Sequence, residues 1–142
     1  GGGTLTLGTN GTTSNFNQSI TAVDVDRGTL KFTTNNSIPT TSASSGGVTL
    51  SPELATADTA TLNLNGTNQT INALTVITDG ALIIDNTSTS PASLTFGANN
   101  TTSSITNNGA RTITDSGAGA LSIIKTGNTA LTLPTGMTLT NW

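Results

Sequence analysis

The sequence predicts an all-β chain wound as a parallel β-solenoid, and three observations predict it. Apolar residues alternate with small polar ones in short bursts, and a unit of about 50 residues recurs along the chain. Aromatic and charged residues are scarce, at 3% and 8% of 142 residues, where ordinary soluble domains carry roughly 25% charge.

The alternation is clearest in Thr4-Leu5-Thr6-Leu7, Thr29-Leu30-Lys31-Phe32, Thr61-Leu62-Asn63-Leu64, Ala92-Ser93-Leu94-Thr95-Phe96 and Ala130-Leu131-Thr132-Leu133. A period of two, with β-branched Thr on the second face, is the strand pattern. Turn formers lie between the bursts: Gly8 to Gly11, Asn35-Asn36, Gly46-Gly47, Asn65-Gly66, Asn99-Asn100, Asn107-Asn108-Gly109 and Gly127-Asn128. Gly and Asn accept the left-handed backbone of tight corners. The pattern predicts about a dozen strands and no substantial helix. Ser51 to Ala57, with Ser as cap and Pro52 at the first position, suffices for one helical turn at most.

The repeat is visible in Asn17-Gln18-Ser19-Ile20-Thr21-Ala22-Val23-Asp24-Val25, which lines up with Asn68-Gln69-Thr70-Ile71-Asn72-Ala73-Leu74-Thr75-Val76, 51 residues on. With one inserted residue it continues from Gly28-Thr29-Leu30-Lys31-Phe32 to Gly80-Ala81-Leu82-Ile83-Ile84, and Thr4 to Leu7 matches Thr61 to Leu64 across a longer loop. The chain therefore reads as one block, 1–142, with internal copies at roughly 1–57 and 58–142. A repeat of this length points to a solenoid, propeller or array.

A solenoid accounts for the composition. Its narrow core takes Leu, Ile, Val and Ala in ladders, and its outer face takes Thr and Asn ladders. A propeller calls for more aromatics per blade. Rungs of roughly 20–25 residues give about six rungs, and ~4.8 Å per rung gives a rod about 30 Å long.

Composition also removes several functions. The chain has no His, Cys or Tyr, which removes His general-base catalysis, thiol nucleophiles and the usual zinc or haem ligand sets. No catalytic, cofactor-binding or metal site is expected. Four basic residues, Arg27, Lys31, Arg111 and Lys125, against a net charge of −3 form no phosphate-binding stripe, so nucleic acid is a poor partner. No apolar run approaches the ~20 residues of a membrane helix. The opening Gly1-Gly2-Gly3-Thr4, without initiator Met or signal peptide, reads as processed or excerpted.

Two stretches carry a family resemblance. Thr59 to Ile71 (TATLNLNGTNQTI), followed by Leu74-Thr75, is similar to the "tLdLnGfnqtvgsLt" segment of bacterial autotransporter-associated β-strand repeats. Gly117 to Leu133 (GAGALSIIKTGNTALTL) resembles their "LtKtGtGtLtLsG" signature, in the family's usual order. Asn128-Thr129-Ala130 stands where the signature has its second Gly, Pro134 replaces a small residue, and the usual aromatic after the signature is missing before Trp142. The resemblance implies a right-handed β-helix in a large secreted or surface-displayed bacterial protein, as stalk or passenger material, and it brings no catalytic residues.

A few individual residues carry groups capable of chemistry. Asp24-Val25-Asp26 places two carboxylates on one face of a strand, which suits part of a calcium site, but a solvated edge that discourages sheet aggregation is the preferred reading. Asp79, Asp85 and Asp115 sit beside turn formers and are expected to cap turns. As glycosidase acids they lack a cleft with sugar-stacking aromatics. Lys31 and Lys125 are read as outward guards of the sheet, in preference to isopeptide partners. The sequons at Asn10, Asn65, Asn68 and Asn86 arise by chance in so Asn- and Thr-rich a chain. The Thr-x-Thr pairs Thr4/Thr6, Thr112/Thr114 and Thr138/Thr140 are not at one rung spacing and read as ordinary strand surface.

The expected function is structural: an extracellular or cell-surface spacer, stalk or filament subunit. Its partner is itself, head to tail through terminal β edges, or the adjacent repeats of a longer chain. A surface adhesin or an ice- or glycan-binding module using a Thr/Asn face is the alternative.

Overall fold

The computed structural model describes residues 2–8, 22–40, 46–52, 58–77, 80–105, 111–132 and 138–139. The chain coils around one axis. β1 (Gly3–Leu7) and β2 (Ala22–Val25) open it, and β3 (Gly28–Phe32) and β4 (Gly47–Leu50) follow. Three-sided turns come next: β5 (Thr59–Asn63), β6 (Asn68–Thr70) and β7 (Leu74–Val76), then β8 (Ala81–Asp85), β9 (Ala92–Phe96) and β10 (Ser103–Ile105). β11 (Arg111–Thr114), β12 (Leu121–Lys125) and β13 (Leu131–Thr132) form another, and β14 (Thr138–Leu139) returns to the first side. A single 3-10 turn at Ala98–Asn100 is the one helical element among the described residues.

The strands stack into three sheets, ordered β1-β3-β5-β8-β11-β14, β13-β10-β7-β4-β2 and β12-β9-β6. All pairings are parallel. The fold is the all-β solenoid that the alternation predicts, and it makes about four turns. The turns are uneven: Thr59 pairs with Ala81, 22 residues on, whereas Gly28 pairs with Ala60, 32 residues on. The extra residues fall between the strands in sequence, so strand register is kept while connection length varies.

The register explains the 51-residue offset. Val23 pairs with Val48, and Val48 pairs with Leu74, so Val23 and Leu74 lie two coils apart in one sheet. The match of Leu30 to Leu82 does not hold in space. Leu30 stacks on Leu62, and Leu62 on Ile84, two residues further on. A shift of two keeps the same face inward, so the hydrophobic pattern tolerates it.

By strand register, apolar residues form continuous columns. Leu5, Leu30, Leu62, Ile84, Ile113 and Leu139 succeed one another in the first sheet. Val25, Leu50, Val76 and Ile105 do so in the second. Phe32, Leu64, Ile71, Leu94 and Phe96 fill the space between, all buried. Burying such a side chain stabilises by about 1.5–3 kcal/mol. Two or three inward residues per strand thus suffice with a small apolar share.

Corners are fixed by asparagine and glycine. Asn65 and Gly66 hold φ of 47° and 76°, a left-handed pair that Asn and Gly adopt with little strain. Asn86 ties three coils together. Its Oδ1 accepts from Gly66 N–H (2.8 Å) and Ser88 N–H (3.2 Å), and its Nδ2 donates to Ser90 O (2.9 Å) and Gly119 O (2.6 Å). With every polar valence engaged, its hydrogen bonds offset the desolvation cost of complete burial.

Candidate functional site

At the N-terminal end of the described coil a core column is left open. Leu5 belongs to the leucine column by register, yet it is 56% exposed, while Leu30 beneath it is buried. Leu5, Val25 and Leu30 line a hollow of about 480 Å³, with Asp24, Asp26 and Arg27 also on its walls. The exposure has a simple cause: among the described residues β1 has a strand neighbour on one side only, as does β2.

The carboxylates gather in the second sheet and its corner. Asp24 and Asp26 are exposed and converge on one buried hydroxyl, Ser51 Oγ, at 2.5 and 2.7 Å. That hydroxyl has one proton to donate, so it serves one carboxylate at a time. No third carboxylate, Cys or His joins them among the described residues. Next in sequence, Arg27 donates to Asp58 Oδ2 across 31 residues, pinning the β2–β3 corner to the start of β5. Nothing in the sequence marked this pair. Only the coil length between the two residues brings them together.

The last described strands of the other two sheets also carry apolar residues. Leu121, Ile123 and Leu131 are partly buried and pack against the core. β12 and β13 are the last strands of their sheets among the described residues. Lys125 does not guard the outer face. It lies in register with buried Phe96, and its Nζ donates to the Thr126 carbonyl and, at 3.4 Å, to that of Gly127. Ile124, 42% exposed, takes the outward position. Lys31 does face outward, in a column with Thr6, Asn63, Asp85 and Thr114.

Asp85 caps a turn as expected, but in the next coil. Its Oδ1 accepts from Ser116 N–H (3.0 Å) and its Oδ2 from Ser116 Oγ (2.6 Å). Asp115 heads that turn, which Ala118 N–H closes onto Asp115 O at 3.0 Å. Among the sequons, Asn86 is buried, Asn65 donates to Phe32 O (3.1 Å), and Asn68 is exposed. Asp79, the Asn10 sequon, Trp142, Thr140 and residues 53–57 of the one-turn helix lie outside the described residues.

The threonine pairs stack better than their spacing suggests. Thr4, Thr29, Thr61, Ile83, Thr112 and Thr138 share one column of the first sheet, and Thr6 and Thr114 share the neighbouring column. Unequal corners hide this alignment from the sequence. Ile83 interrupts the first column, and Lys31, Asn63 and Asp85 fill the middle of the second.

No helix of the described residues is long and apolar enough to cross a membrane. No family model, no curated protein and no solved structure matches the chain.

Proposed function

We propose that this chain is a structural segment of an extracellular, cell-surface bacterial protein: a right-handed β-helix serving as spacer, stalk or filament subunit and assembling along its axis. The observation that carries the reading is the leucine column, buried through the middle coils and open at Leu5. A core column that ends in an exposed leucine is satisfied by a further coil. The likeness of Thr59 to Ile71 and Gly117 to Leu133 to autotransporter-associated repeats supports the surface location and the right-handed coil. The role is mechanical and not enzymatic. The buried carboxylates Asp58 and Asp85 support this, since each is held by a structural partner, Arg27 and Ser116.

Multi-angle light scattering over a concentration series tests the homopolymer form, in which mass grows with concentration. The consecutive-repeat form is tested by fusing two copies in tandem. The fused chain unfolds at a higher temperature than the single chain if the coils dock, and at the same temperature if they do not.

The threonine column favours a second reading, a binding module for ice or glycans on the outer face of the first sheet. Inhibition of ice recrystallisation, or retention on a glycan surface lost in a Thr29→Lys/Thr61→Lys variant, would support it.

A further inference from the structure

We propose that Asn65 is a site of spontaneous modification, conversion to aspartate and isoaspartate through a cyclic imide, and that Asn86 in the following coil holds that reaction back.

The chemistry is set by the dipeptide Asn65-Gly66. The backbone nitrogen of Gly66 attacks Cγ of Asn65 and closes the imide. The side-chain nitrogen leaves as ammonia, taking the proton that the attacking nitrogen gives up. Water then opens the ring at either carbonyl. One opening gives aspartate, and the other gives isoaspartate, with the main chain routed through the side chain. Glycine favours the attack because no Cβ shields its nitrogen and its backbone reaches the conformations that ring closure needs. The chain has three such dipeptides, at Asn10, Asn65 and Asn108. Of these, Asn65 and its glycine lie within the described residues.

The fold keeps the reacting atoms of this pair apart. Asn65 and Gly66 are the central residues of a turn that Thr67 N–H closes onto Leu64 O at 2.9 Å. Their φ of 47° and 76° are the left-handed pair of a type I′ turn. Within the turn, the two reactive groups are drawn to opposite neighbours. Asn65 Nδ2 donates to Phe32 O, at the end of β3, at 3.1 Å. Gly66 N–H donates to Asn86 Oδ1, just past β8, at 2.8 Å. β3 and β8 flank β5 on its two sides in the first sheet. The amide is therefore held by the coil before and the nitrogen by the coil after. Packing adds to this: a Cβ at Gly66 would lie 2.7 Å from Ser88 Oγ, so the turn has no room to shift towards the next coil.

Asn86 is built for the task. It is fully buried, and its Nδ2 is fixed by Ser90 O and Gly119 O, which leaves Oδ1 facing Gly66. The β-branched Thr87 that follows it crowds the nitrogen its own cyclisation would use. Reaction at Asn65 thus waits for the corner to open locally. The product does not fit the closed corner. Aspartate at this position lacks the donor to Phe32 O and sets a carboxylate against it, and isoaspartate lengthens the main chain inside a closed turn. Each event is one-way and loosens the tie between β3 and β5.

The test is peptide mass mapping of the full chain during incubation at mildly alkaline pH, folded and in denaturing urea. Conversion of Asn65 is expected to be at least about tenfold slower in the folded chain, because it needs local opening. Asn86→Ala should raise the folded-state rate by about fivefold or more, the effect of one lost net hydrogen bond. Val48→Ala, a core truncation in the second sheet, should leave the rate within about twofold, since it does not touch the corner. Hydrogen exchange of the Gly66 amide should rise with the first variant and not with the second. Equal rates in the folded and unfolded chain overturn the protection. Slow folded-state conversion that Asn86→Ala raises no more than Val48→Ala overturns the role of Asn86. If Asn86→Ala does not fold, sub-denaturing urea on the natural chain decides. A parallel rise of Gly66 exchange and Asn65 conversion supports the guard, and conversion that rises without exchange overturns it.

Discussion

Gln69 lies in register with Leu94, so an amide occupies a core position in a column that continues as leucine and isoleucine. It is 1% exposed, and its polar atoms serve the coil below and the corner just before it. Ser37 N–H donates to its Oε1 (2.9 Å), and its Nε2 donates to Thr34 O (2.7 Å) and Thr67 Oγ1 (2.8 Å). Residues 33–37 form no strand here, and Gln69 satisfies backbone groups that a third strand would have paired. Replacing it with Leu adds apolar surface but leaves a buried donor and acceptor without partners, at about 1–3 kcal/mol each. Gln69→Leu should therefore lower stability by about 2 kcal/mol in urea titration. Unchanged or higher stability would contradict the role given to the amide.

The leucine column predicts a steep difference between its centre and its end. Leu62 is fully buried with strands on both sides, so Leu62→Ala should cost about 2–5 kcal/mol. Leu5→Ala should cost under about 1 kcal/mol in the dissociated chain, because most of its side chain is already in water. Equal losses in dilute thermal melts would contradict an open end.

Gly28 has φ of 97°, and a Cβ there would lie 2.2 Å from Gly3 O. Gly28→Ala thus combines backbone strain with a clash against β1, and should destabilise the first coil by more than about 1–3 kcal/mol. Gly3→Ala meets nothing within 4 Å and should be near neutral. Hydrogen exchange of the β1 amides separates the two: fast in the first variant, unchanged in the second.

Assembly should depend on salt and pH through net charge. Each copy carries −3 at pH 7 and has a sequence pI near 4.3, so approaching copies repel. Screening contracts to about 8 Å at physiological ionic strength. Light scattering should therefore show more growth at high salt, and more again as pH falls towards 5 and carboxylates lose charge. Growth favoured by low salt would point to an association driven by opposite charges instead.

Much of the solenoid is legible in the sequence because a period of two sets which side chains face inward. The bursts at Leu30, Leu62 and Leu94 are strands with buried leucines, as their alternation predicts. What spacing cannot deliver is vertical alignment. Steps of 22 to 32 residues between stacked strands obscure the threonine column and slip the match of Leu30 by two. β6, Asn68–Thr70, carries no hydrophobic residue and no strand pattern, and becomes a strand because β9 pairs with it. Lys125 departs from the outward position its pattern predicts for a related reason. At the last three-sided coil an inward position is only partly covered, so a lysine sits there with its ammonium on corner carbonyls. Arg27 with Asp58 and Ser51 with Asp24 and Asp26 join residues about one coil apart, which no local motif reveals.

The most direct measurement is electron microscopy of the purified chain at high concentration, with diffraction from aligned material. Thin unbranched fibres and a meridional spacing of about 4.8 Å are the predicted result, because coils stacked through and between copies repeat at the strand separation. A field of dispersed single particles at every concentration and salt level, with tandem copies no more stable than one, would contradict it.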